Sequence, residues 1–211
     1  MQVHGLRKMK MHQDKLLDLD KQKKIGQGTV KDVYAYPDSE SLVIKVIKSI
    51  LVAEDGGFSK HGKFKRSINQ GIYRQFRREI IQYLELSKTY YFEPETIFPV
   101  ETPYGLITTS QGLGLVVEKI QSPGGKSLTL EDISLIGQVE DKHLQALEEF
   151  FQRCVDMHVV FGEVNYAGLM YTESRSGRPE FVLVDGIGEK LLIPVRSWFK
   201  GINTRYIRKV Q

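Results

Sequence analysis

Residues 25–48 read IGQGTVKDVYAYPDSESLVIKVIK, and the order of residue types in them decides how a glycine pair is to be understood. In a dinucleotide-binding fold the glycines would open a helix. Here Val33, Tyr34, Ala35 and Tyr36 follow instead, β-branched and aromatic residues alternate with polar ones, and the break falls at Pro37 and Asp38. The spacing predicts two or three antiparallel strands joined by tight turns, with the glycines in a hairpin.

Outward from that stretch, a polar extension over 1–22 leads toward a first strand near LLDLDKQKKIG (16–26). Residues 53–67, rich in glycine, lysine and arginine, have the composition of an exposed loop. A helix is predicted within 69–88, where Ile72, Phe76, Ile80, Tyr83 and Leu84 recur as an apolar stripe. Strand-like sequence returns over 96–120 and ends in the apolar run LGLVV. Thr129 is placed to cap a short helix, and a longer one runs over 141–158 with Leu144, Leu147, Phe151, Cys154, Val155 and His158 on one face. LMYTE (169–173) and FVLVD (181–185) then make a hairpin, and a basic tail closes the chain over 197–211. The order is α+β. We read one domain over 23–211, with an antiparallel-sheet lobe over 23–120 and a reduced, mostly helical lobe over 121–211.

The chain has 211 residues, 41% of them apolar and 27% charged, enough for a real core. A net charge of +4 suits a phosphate ligand, nucleic acid or an anionic membrane without selecting among them. Cys154 is the lone cysteine, which excludes a disulfide framework and fits a reducing cytoplasm. No stretch approaches the roughly 20 apolar residues of a membrane span, so a soluble cytoplasmic protein is expected.

Gly26-Gln27-Gly28-Thr29-Val30-Lys31-Asp32-Val33 follows the glycine-loop pattern of protein kinases, with Lys31 in place of the third glycine. Such a loop lets backbone amides approach phosphates. Twelve residues on, Lys45 in LVIKVIK stands where a kinase strand lysine meets the α and β phosphates, and Glu79 on the next helix is placed to pair with it. Asp185 ends an apolar strand and precedes Gly186, as in the Asp-Phe-Gly metal site, where a carboxylate holds Mg²⁺. Each residue alone has a plainer reading: a turn glycine, a solvated lysine, a surface glutamate, a turn aspartate. Their order is what carries weight.

The runs GQGTVKDVYAYPDSESLVIKVIK, RREIIQYLEL and VDGIGEKLLIPVRSWFK together resemble the family of the PhoP regulatory network protein YrbL, small bacterial proteins with a protein-kinase-like fold. The resemblance implies a kinase-like site for ATP and Mg²⁺ and a protein partner in a bacterial regulatory network. Carried over by residue, Gly26, Gly28 and Val33 belong to the phosphate loop, Lys45 to the phosphates, Glu79 to that lysine, and Asp185 to the metal. The catalytic loop departs. Setting Gly168-Leu169-Met170 against the usual Asn-Ile-Leu places Glu163 at the catalytic aspartate and glycine at the metal-binding asparagine, with Asn165 as a substitute ligand or a turn cap. A glutamate displaces the carboxylate by about 1 Å, enough to cost on the order of 100-fold in rate. The expected function is therefore a Mg-nucleotide-binding regulatory protein with weak or no phosphotransfer. The alternative is an active minimal kinase acting on a protein or small-molecule acceptor. A third class, nucleic-acid binding, is raised by Lys60, Lys63, Lys65, Arg66, Arg74, Arg77 and Arg78, with no recognised motif beside them.

Overall fold

The computed structural model describes residues 16–59, 71–162, 164–190 and 193–211; most of the extension over 1–22, the basic loop from 60 to 70 and Glu163 lie outside them. The glycine stretch forms β1 (Lys24–Gln27) and β2 (Lys31–Ala35), joined by a tight turn in which the Gly28 amide donates to the Lys31 carbonyl at 2.8 Å. β3 (Leu42–Ile47) follows, then helix α1 (Arg74–Thr89), then β4 (Pro103–Thr109) and β5 (Gly112–Glu118). These strands make one antiparallel five-stranded sheet in the order β1-β2-β3-β5-β4. β1 is shorter than the sequence suggested, because Asp18 accepts from the Asp20 amide and turns Leu19–Lys21 into a 3₁₀ segment with Leu19 buried.

Register decides which side chains share a face. Val33 lies opposite Lys45 and Lys31 opposite Ile47, so the two-residue period of a strand puts Lys31, Val33, Val43, Lys45 and Ile47 on one side of the sheet. That side packs on Ile72 and Phe76. The other side carries Tyr34, Ile44, Val46 and Val116, which pack with Leu19.

α1 turns Phe76, Glu79, Gln82 and Leu86 inward, so the buried stripe includes two polar residues. Leu84, expected in that stripe, is 59% exposed, because at about 100° per residue it falls well away from Glu79 and Leu86.

The rest of the chain builds β6 (Leu128–Thr129), α2 (Leu130–Leu135), α3 (Asp141–Asp156), β7 (Leu169–Thr172) and β8 (Glu180–Leu183). β6, β7 and β8 form a three-stranded antiparallel sheet. Thr129 and Asp132 close a capping box at the start of α2. α3 buries His143, Ala146, Phe150, Phe151 and Cys154, while Leu144 is 56% exposed; the inward face is rotated from the one the apolar spacing suggested. The expected basic tail is in fact two helices, α4 (Val195–Trp198) and α5 (Lys200–Val210). Asn203 and Ile207, one turn apart, dock α5 while Arg205, Arg208 and Lys209 stay outward. Among the described residues no helix is long and apolar enough to cross a membrane.

Candidate functional site

A cleft of about 550 Å³ opens beneath the glycine hairpin and brings together Gly26, Gly28, Val33, Lys45, Asn165 and Asp185, joined by Lys31, which the sequence marked only as the substitute for the third glycine, and by Glu101, which the sequence pattern did not single out. Neither Gly26 nor Gly28 has a positive φ, so the backbone here does not require glycine. What the two glycines provide is the lack of a side chain along this edge of the cleft.

Both lysines are buried, each about 5% exposed. Lys31 Nζ lies 2.6 Å from Glu79 Oε1 and 2.9 Å from Asp185 Oδ1. Burial acts to lower its pKa, but the charges of Glu79 and Asp185 outweigh burial and hold it above the ordinary lysine value. Lys45 Nζ is held by the Glu101 carboxylate and the Val184 carbonyl. The helix carboxylate thus pairs with the lysine of the glycine loop, and the expected pairing of Glu79 with Lys45 is replaced. The physical reason is the competing partner: Glu101, just before β4 and 3% exposed, claims Lys45 at the back of the cleft. Burial raises the Glu101 pKa from 4.5 to about 7, with Lys45 opposing the shift. The motif marked Lys31 as the residue at the third glycine, and strand periodicity, which puts residues 31 and 45 on one face, is the signal that it shares the cleft with Lys45.

Asp185 lies just beyond β8 with its side chain 54% exposed toward the cleft. Desolvation works to raise its pKa, and Lys31, Lys45 and the Gly186 amide overcome it, leaving the carboxyl below its usual range. Asn165 caps a 3₁₀ turn over Tyr166–Gly168, its Oδ1 accepting from the Gly168 amide at 2.6 Å. A Cβ at Gly168 would stand 3.0 Å from that oxygen and 3.6 Å from Asp185 Cβ. The carboxamide of Asn165 therefore reaches the place where a side chain at 168 would begin, next to the aspartate. One carboxylate and one amide oxygen form a set that suits Mg²⁺ accompanied by phosphate oxygens and water, which needs few protein ligands. Among the described residues no cluster of three or more His, Cys, Asp or Glu could hold a metal unaided.

The loop after α3 is braced from both sides. The Gly162 amide donates to the Gly186 carbonyl, the Gly188 amide to Val160, and Phe161 bridges Ile187. Gly188 has φ +83°, and a Cβ there would stand 2.8 Å from the Arg78 backbone, so only glycine lets this loop touch α1. From below, Arg196 donates to the Phe161 carbonyl, pairs with Glu189 at 2.6 Å and stacks on Tyr206, while Asn203 Nδ2 donates to the Val159 carbonyl. His158, at φ +57°, shares a hydrogen bond with the Arg196 carbonyl. Arg74, Arg77 and Arg78 line a separate cleft of about 510 Å³ between α1 and the C-terminal helices. The remaining basic residues of that sequence cluster, from Lys60 to Arg66, lie outside the described residues.

A glycine hairpin between β1 and β2, a lysine on β3, a glutamate on the helix before β4 and an aspartate after a late hairpin strand are the parts of a kinase-like fold in their usual order. A model of the family of the PhoP regulatory network protein YrbL matches residues 17–211. The chain belongs to that family. Membership accounts for nearly the whole chain, including the C-terminal helices that brace the loop, so those helices belong to the YrbL pattern and are not an appendage. No curated protein matches the chain. Among solved structures, a co-crystal structure of WbdD with the kinase inhibitor LY294002 matches at 16% identity and a TM-score of 0.45, over 86% of this chain and 37% of that one. A structure described as the bifunctional kinase-methyltransferase WbdD matches at 15% identity and a TM-score of 0.42, over 86% and 34%. This YrbL-family chain therefore spans about a third of the WbdD chains it matches.

Proposed function

We propose that the cleft takes an adenine nucleotide with Mg²⁺ and that occupancy of the cleft, with little or no phosphate transfer, is its output. The reading is carried by one observation: two buried ammonium groups and a half-exposed aspartate converge on one concave space under a glycine hairpin. Its volume is in the range of small-ligand pockets, and Ile25, Val33, Val43 and Met170 give it apolar walls for a base. Lys31 and Lys45 make a lysine contact with phosphates available where solvent screening is weak. Asp185 and Asn165 supply hard oxygens, and bound Mg²⁺ would there neutralise phosphate charge.

The low transfer activity rests on the loop. Gly168 offers no ligand, and one lone pair of the Asn165 oxygen is already committed to its own turn. Glu163 has the chemistry of a proton acceptor on a longer arm. An active minimal kinase, with Glu163 receiving the hydroxyl proton of an acceptor, is the second reading. A regulatory protein partner in the cytoplasm follows from the family's connection to a regulatory network and belongs to the same proposal.

Thermal melting tests the cleft. Mg-ATP should raise the Tm of the native chain, since a ligand that binds only the folded state stabilises it by about 2.7 kcal/mol at 100 times Kd. An absent shift, or one that survives intact in Asp185→Ala, would sink the reading. Labelled γ-phosphate separates the two alternatives. Robust transfer that disappears in Glu163→Ala would establish an active kinase.

A further inference from the structure

We infer that Lys31, on the glycine hairpin, is the lysine that contacts the phosphates, and that Lys45 braces the floor of the cleft. The inference rests on the nucleotide reading above and assigns the work within that site. Each ammonium has three donors. Lys45 directs two of them at the Glu101 carboxylate, 3% exposed, and at the part-buried Val184 carbonyl, so its fixed partner is a buried charge and its other partner is backbone, which no ligand can take up. Lys31 is different on three counts. Its own carbonyl closes the hairpin turn with Gly28, so its backbone belongs to the loop under which phosphates would lie. One of its partners, Asp185, is half exposed in the cleft. The other, Glu79, is 5% exposed on α1 and anchors the ammonium from behind.

This geometry gives Lys31 a releasable partner and a fixed one. Without ligand, its charge neutralises Asp185. When a dication takes up the aspartate, that hydrogen bond is freed for a phosphate oxygen while Glu79 keeps the ammonium in place. Phosphate contact and the position of α1 are then linked through one side chain. A variant at the β3 lysine, the conventional loss-of-binding control for a kinase-like site, is on this view the wrong control.

The test compares Mg-ATP with adenosine, which lacks phosphates, by calorimetric titration of the full chain and its variants. In Lys31→Met the preference for Mg-ATP over adenosine should fall on the order of 10-fold or more, the scale of one lost charge-assisted hydrogen bond. Glu79→Gln, which keeps side-chain volume, should lower the same preference and so serves if Lys31→Met does not fold. Lys45→Met and Glu101→Gln should weaken both ligands together, leaving the preference within about 3-fold. Loss of the preference in Lys45→Met but not in Lys31→Met would overturn the assignment. A parallel loss of both ligands in Lys31→Met would reduce Lys31 to a structural ion pair and overturn it too. A native chain that binds neither ligand removes the cleft reading itself, and the assignment with it.

Discussion

The two sides of the cleft are held by different means. On the sheet side, Lys31 and Lys45 sit on the neighbouring strands β2 and β3, joined by one short connection, so alternation and register place both on one face. On the loop side, residues 158–162 are held by two helices more than thirty residues later, through Arg196 on α4 and Asn203 and Tyr206 on α5. Local pattern thus puts the lysines on one face, whereas the loop on which the proposed lack of transfer rests is held by contacts distant in sequence. Damage to the two sides should differ accordingly.

The largest expected effect breaks the long-range side. Arg196→Ala removes the guanidinium pair with Glu189, the bond to the Phe161 carbonyl and the stacking on Tyr206 together, breaking a buried ion pair at one partner. Urea denaturation should show a loss of about 3–5 kcal/mol. Gly188→Ala comes next. A methyl there meets the Arg78 backbone and the residue must hold a positive φ, so a loss of about 1–3 kcal/mol is expected, with a weaker Tm shift from Mg-ATP as the Asp185 loop parts from α1.

On the sheet side the sharper probe is pH. Glu101 has a folded pKa of about 7 against 4.5 for the free group, so the native state binds more protons between those values. Its contribution to stability is therefore full below about pH 4.5 and is lost as pH rises through about 7. Native chain and Glu101→Gln should accordingly diverge over that window, the native chain losing stability relative to the variant; parallel pH profiles would show that Glu101 is not held protonated by burial. The smallest effect belongs to Leu84. Leu84→Ser, at an exposed position on α1, should stay within about 0.5 kcal/mol, whereas Phe76→Ala on the same helix should cost about 3–5 kcal/mol.

Much of the fold was legible because hydrophobic period reports local structure. The hairpin at the glycines, the helix at 74–89, the capping of α2 by Thr129 and the hairpin of β7 and β8 all follow from alternation, caps and breaks in the sequence. The phase of a helix was less legible. Leu84 and Leu144 fit an apolar spacing yet face outward, because the buried faces of α1 and α3 include Glu79, Gln82 and His143, polar residues that periodicity counts as surface. The last fifteen residues look like a solvated basic tail for the same reason: their charges outnumber the few residues, Asn203 and Ile207, that dock the helix.

The sequence by itself determined the order of parts: a glycine hairpin, a strand lysine, a helix glutamate and an aspartate after a late strand, with a glycine where a metal-binding asparagine would stand. Those are properties of residue type and spacing. Only the tertiary structure decided who pairs with whom. Glu79 chose Lys31 because Glu101 already held Lys45, and that competition arises among side chains brought together from four separate segments of the chain. An ion pair depends on distance and on burial in three dimensions, and no motif spacing contains either.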